Sequence, residues 1–131
     1  MNVRKVKLVV CSAAVLGLGI ASEDAPPEHQ KWMKDLGNNV GAIRKRVDME
    51  KNARDMQATL KEVAGWCKNR TSEVALKSST DATDGAEQIA KAAQAGDQTG
   101  IAAGMKALNA GCKGCHDVHR EKVSDTVYRI K

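Results

Sequence analysis

Residues 96–120 read GDQTGIAAGMKALNAGCKGCHDVHR. Ala95-Gly96-Asp97 is a turn signal, and the residues after it are helical in period. Ile101, Met105, Leu108, Cys112 and Cys115 fall on one side of a helix predicted to run from about 98 to 124. Within it, Cys112-Lys113-Gly114-Cys115-His116 has the Cys-x-x-Cys-His spacing by which a c-type haem is attached. On a helix, positions i, i+3 and i+4 share a face. Both thiols can therefore reach the two vinyl groups of one porphyrin, and the His116 imidazole points at the iron as its proximal ligand. Gly114 would leave room for the macrocycle against the backbone. A thioredoxin-like redox pair needs a βαβ context, and no strand is predicted. A zinc site needs a second ligand pair at zinc spacing, which Cys67 and His119 do not supply. Gly100, Gly104 and Gly111 weaken the helix intrinsically, which implies close packing against a neighbour or the haem.

The preceding chain yields three more helices. Pro26 and Pro27 suit a first helical turn. Met33, Leu36, Val40, Ile43 and Val47 then repeat at steps of 3 and 4, predicting a helix over about 26–46. Met49, Ala53, Met56, Leu60, Val63 and Cys67 repeat the pattern after a slip of phase, so a tight turn is expected near 46–49, with Asp48 capping the second helix. One long bent helix is the alternative. Thr71 or Ser72 can cap a third helix with Glu73 in its first turn. That helix carries Val74, Ala75, Ala82, Ala86, Ile89, Ala90 and Ala93, and is weakened by Ser78-Ser79-Thr80 and Gly85. Val127 to Lys131 has no periodicity and either wraps back or frays. The expected fold is all-α, an antiparallel up-and-down four-helix bundle with haem bound near the C-terminal helix.

The N-terminus reads as an export signal. Arg4, Lys5 and Lys7 precede an apolar stretch, Leu8 to Ile20, and Gly19-Ile20-Ala21 offers small residues before Ser22. The stretch is 13 residues, short of the ~20 needed to span a bilayer as a helix. The expected organisation is a signal peptide at 1–21 and a monohaem domain at 22–131, delivered to the periplasm without stable membrane insertion. Export suits c-type haem, which is attached outside the bacterial cytoplasm. The formal charge of +5 falls to +2 on removal of those three basic residues, 18 Lys and Arg against 16 Asp and Glu. Two haem propionates bring it near neutrality, which argues against nucleic-acid binding. With no Phe, one Tyr and two Trp, the side chains make a small core to which a buried haem would add apolar surface.

These residues resemble a family. A four-helix chain with an export signal and Cys-x-x-Cys-His close to its C-terminus is similar to the class II c-type cytochromes, the cytochrome c′ and cytochrome c556 group. The resemblance is strongest over Gly96-Asp97, Met105, Leu108 and Cys112 to Arg120. It is looser at Gln30, Met33, Lys34 and Gly37. Arg120 matches the family pattern, whereas His119 stands where the family has an aromatic. The resemblance implies that Met33 occupies the distal side of the iron. A thioether there gives a six-coordinate haem of raised potential and an electron carrier. Leu or Phe there gives a five-coordinate, gas-binding protein, which remains the alternative function if Met33 does not ligate. Pairing of two copies through their first two helices is also implied.

Other residues bear on the site. His29 lies one turn before Met33 on the same face and is a rival ligand, although a first-turn histidine is expected to be exposed. His119 is expected beside the haem or on a propionate, and Arg120 on a propionate or near His116. Met56 and Met105 read as core. Cys67 is the odd cysteine of the exported chain and is expected to be buried. Lys113, Arg120 and Lys122 would ring the haem edge and steer an acidic redox partner. No acid–base pair or nucleophile outside the haem site supports an enzyme. The expected protein carries single electrons between redox partner proteins.

Overall fold

The computed structural model describes residues 27–70, 72–122, 124 and 128–130. The expected export signal, Pro26, Thr71, Val127 and Lys131 lie outside them. Four helices run α1 (Pro27–Arg44), α2 (Met49–Lys68), α3 (Glu73–Gln94) and α4 (Gln98–His119). Pro27 stands at the first residue of α1, where its missing N–H costs nothing. The expected break between α1 and α2 is present as two separate helices. Arg46 and Asp48 are both left-handed, with φ of 59° and 39°, which turns the chain without glycine or proline. Asp48 occupies the N-cap position of α2, but its side chain caps nothing, because the left-handed backbone carries the carboxylate away from the first-turn N–H groups. Asn52 ties the turn instead, its amide donating to the carbonyls of Val47 and Asp48 at 3.0 Å. Val47, expected in the apolar stripe of α1, falls in this turn and is exposed.

Ser72 caps α3, its hydroxyl accepting from the Ala75 N–H at 3.2 Å, and Asp97 caps α4 by accepting from the Gly100 N–H at 2.9 Å. The polar middle of α3 does not interrupt it. Ser79 and Thr80 donate to the Leu76 carbonyl and Thr83 to the Ser79 carbonyl, so these hydroxyls are satisfied within the helix. Val74, expected on the apolar stripe, is exposed.

Helices α3 and α4 approach through their small residues. A Cβ on Gly85 would stand 2.5 Å from the Leu108 nitrogen, one on Gly104 would stand 2.9 Å from the Ile89 nitrogen, and one on Gly111 would stand 2.6 Å from the Ala82 nitrogen. Rising numbers on α4 meet falling numbers on α3, so the pair is antiparallel. These glycines serve a neighbouring helix, which resolves the two readings of the sequence. Gly114 faces α3 as well: a Cβ there would meet the Ser78 hydroxyl at 2.8 Å, so the space beside it belongs to Ser78. Helices α1 on α2 and α2 on α3 continue the series through short connections, as in an up-and-down bundle.

The main core joins all four helices through Ile43, Met56, Leu60, Ile89 and Leu108, with Met33, Met105 and Cys112 packed at its margin. Met56 is fully buried and Met105 half-buried, both as expected. A smaller cluster of Val63, Cys67 and Ala75 lies toward the end of α2 and the start of α3, and Trp32, Met33, Trp66 and Cys115 pack on it.

The C-terminal segment departs from the expected long helix. Helix α4 ends at His119, and β1 (Arg120–Lys122) pairs antiparallel with β2 (Tyr128–Ile130). The tail wraps back, and the strand pair stands beside an otherwise helical fold. Arg129 reaches across to Glu121 at 2.8 Å, opposite it in the register. No helix among the described residues is long and apolar enough to cross a membrane.

Candidate functional site

In an antiparallel bundle the start of α1, the end of α2, the start of α3 and the end of α4 share one pole. A cavity of about 170 Å³ lies there. Met33, Val63, Trp66, Cys67, Ala75 and Cys115 supply its apolar walls, and Ile130 of β2 closes over it. His29, Arg70, Ser72, His116 and His119 supply its polar groups.

The pentad divides between the cavity and the core. Cys115 and His116 line the cavity, and Cys112 packs one turn earlier against the main core. Burial pushes all three away from their charged forms. The Cys112 thiol is raised by desolvation. The Cys115 thiol is pushed up to about 11 by burial, with the neighbouring Cys67 and Cys112 adding to it. Burial, and then the Arg120 guanidinium, hold the His116 imidazole below its ordinary range, against the opposing pull of Asp117. The neutral imidazole, which carries a free lone pair for a metal, is thereby favoured.

Met33 lines the cavity from α1. His29 is a correction to the sequence reading. It is 5% exposed, because its ring packs against Trp66 at 4.9 Å and edge-on to Trp32 at 6.1 Å between ring centroids. Cys67 is buried as expected, and its thiol is raised by desolvation against a hydrogen bond with Ser79. His119 lies in the wall, bonded to the Ser72 hydroxyl at 2.6 Å, so the histidine that replaces an aromatic ties the end of α4 to the cap of α3. Arg120 is exposed at the start of β1, outside the cavity wall, with its backbone N–H on the His116 carbonyl. Lys113 is paired with Asp117 on the outer face of α4. Arg70, which sequence reasoning missed, stacks its guanidinium over Trp66 at 4.1 Å and brings a positive charge to the cavity. Its position at the end of α2, beside the pole where the pentad lies, was the available signal.

The donor set fits a covalently held haem: two thiols and an imidazole on α4, a thioether and a second imidazole on α1, apolar walls, and a cation in the lining. The free volume is below the ~300–1,000 Å³ usual for small-molecule sites, so seating a macrocycle requires the walls to separate. Helix α4 packs on α3 and α1 on α2, so the walls to separate are those of α1 and α4.

A family model described as Cytochrome C' matches residues 70–120, which take in α3, α4 and the whole pentad. Helices α1 and α2 lie outside the matched span. No curated protein and no solved structure matches the chain. With Cys112, Cys115 and His116 inside the span and four helices packed as a bundle, the match supports a class II c-type cytochrome.

Proposed function

We propose that the protein is a periplasmic monohaem cytochrome that carries single electrons between partner proteins and is not itself an enzyme. The observation that carries this reading is the cavity wall, to which His116 of α4 and Met33 of α1 both contribute. When bound, haem supplies a one-electron couple at its iron. Cys112 and Cys115 would hold the porphyrin through thioethers, His116 would be the proximal ligand, and Met33 the distal one. Neutral His116 is available for that role because its surroundings disfavour the imidazolium. The apolar lining residues would limit water around the haem, and Arg70 would balance negative charge on its propionates. Arg120, at the start of β1, brings its positive charge near His116 and would add to that balance. Export is supported by the basic and apolar composition of residues 4–21.

Expression with a c-type haem maturation system tests the attachment. Intact mass should rise by one haem in the wild type and by none in the Cys112→Ala/Cys115→Ala double variant. A wild-type chain that matures without covalent haem contradicts the reading. The five-coordinate alternative is separated by carbon monoxide: a free distal site binds it at once on reduction, whereas a methionine-occupied site binds it slowly, at the rate Met33 dissociates.

A further inference from the structure

The cavity holds an imidazole that the electron-carrier reading does not use. His29 is 5% exposed and makes no hydrogen bond among the described residues. No fully buried side-chain nitrogen or oxygen in the described structure lacks a partner. The ring nitrogens of His29 therefore keep their small remaining access, and the space the ring borders is the cavity shared with His116.

Its placement is specific. His29 and Met33 are one turn apart on α1, so they share a face, and both line the cavity. Trp32 and Trp66 hold the His29 ring from two sides, which limits its rotation and lowers the ordering cost of any bond it makes. Burial also disfavours its protonated form, with the charges of His116 and Arg70 acting in the same direction. The lone pair a metal would need is thus kept free.

We infer that α1 offers two alternative ligands to a haem held by His116: Met33 and, one turn away, His29, which would ligate when the thioether does not. This inference rests on the haem reading above. The soft thioether suits reduced iron and raises its potential, whereas the imidazole nitrogen suits the oxidised metal better. Exchange between them would give the protein a second coordination state, of lower potential, without any change in covalent structure.

The test uses holoprotein carrying Met33→Ala, Met33→Leu, His29→Phe, or His29→Phe with Met33→Leu. Phe keeps a ring between the tryptophans, and Leu keeps the volume of Met. Optical and electron paramagnetic resonance spectra of the oxidised proteins and their midpoint potentials are recorded, with intact mass to confirm covalent haem. The inference expects both Met33 variants to remain low-spin and six-coordinate at a lower potential than wild type. The double variant should become high-spin, and His29→Phe alone should keep the thioether-ligated spectrum. High-spin iron in both single Met33 variants, with haem attached, overturns this inference and leaves the carrier reading standing. A double variant that stays low-spin also overturns it, because the ligand then comes from elsewhere. Wild-type protein without covalent haem overturns both.

Discussion

A matched pair of glycine substitutions tests how the bundle is held. Replacing a mid-helix glycine by alanine ordinarily stabilises by roughly 0.5–1 kcal/mol, because less backbone entropy is lost on folding. Gly65 on α2 is in that situation, since a Cβ there meets nothing within 4 Å. Gly111 on α4 is not. Its Cβ would lie 2.6 Å from the Ala82 nitrogen and 2.7 Å from the Ser78 carbonyl oxygen, both backbone atoms of a helix that cannot yield locally. Overpacking of this kind costs about 1–3 kcal/mol, and the propensity gain offsets only part of it. Gly111→Ala should therefore destabilise by about 1–2 kcal/mol while Gly65→Ala stabilises by up to about 1 kcal/mol. For a domain near this size the two variants should melt roughly 10 °C apart, measured by far-UV circular dichroism on holoprotein. If Gly111→Ala melts as high as Gly65→Ala, the close approach of α3 and α4 is wrong, and with it the mould that positions the pentad.

Other perturbations act at the site pole. Ser72→Ala removes both the cap of α3 and the partner of His119, and should cost about 1–2 kcal/mol in urea titrations. His119→Phe breaks the same bond from its other side, so the losses from Ser72→Ala and His119→Phe should sum to more than the loss in the double variant, whereas strict additivity would show that the two side chains do not interact. The haem-free chain should lose stability as pH falls. His29 has a folded-state pKa below its ordinary 6.5, so the unfolded chain binds the proton first. The loss begins as pH drops through about 6.5, with a slope of up to about 1.4 kcal/mol per pH unit per group, and levels off below the folded-state value. The sign is read from urea midpoints across pH, and a rise in stability on acidification would contradict it. Cys115, pushed up to about 11, should alkylate slowly at neutral pH before haem attachment, its rate climbing about tenfold per pH unit. A rate already flat by pH 9 would mean that the thiol is not buried as described.

Much of this was legible in the residues. The 3-and-4 spacing of Met33 through Ile43 and of Ala53 through Cys67 located α1 and α2, because an amphipathic stripe is a local property. The pentad was legible because its chemistry demands fixed spacing. Two errors came from information the local pattern does not hold. His29 looked like an exposed first-turn residue, and only the antiparallel arrangement brings Trp66 of α2 against it. The end of α4 was overrun because Glu121 and Lys122 are acceptable helix formers; their backbone pairing with Arg129 and Tyr128 is a contact that no helical period encodes. The glycines of α4 signalled close packing, but only the register of α3 shows that Ile89, Ala82 and Ser78 occupy that space. Asp48 shows the limit of capping rules, since residue type suits the position while the left-handed backbone removes the bond.

The group that stands opposite His116 decides between electron transfer and gas binding, and the optical spectrum of purified wild-type holoprotein, oxidised and reduced, reads it directly. A low-spin haem in both states, with a thioether-to-iron charge-transfer band in the oxidised spectrum that Met33→Ala abolishes, is the predicted result and fits an electron carrier. A high-spin, five-coordinate spectrum that Met33→Ala leaves unchanged would contradict that assignment, reduce Met33 to a wall residue, and make a gas-binding cytochrome the better description.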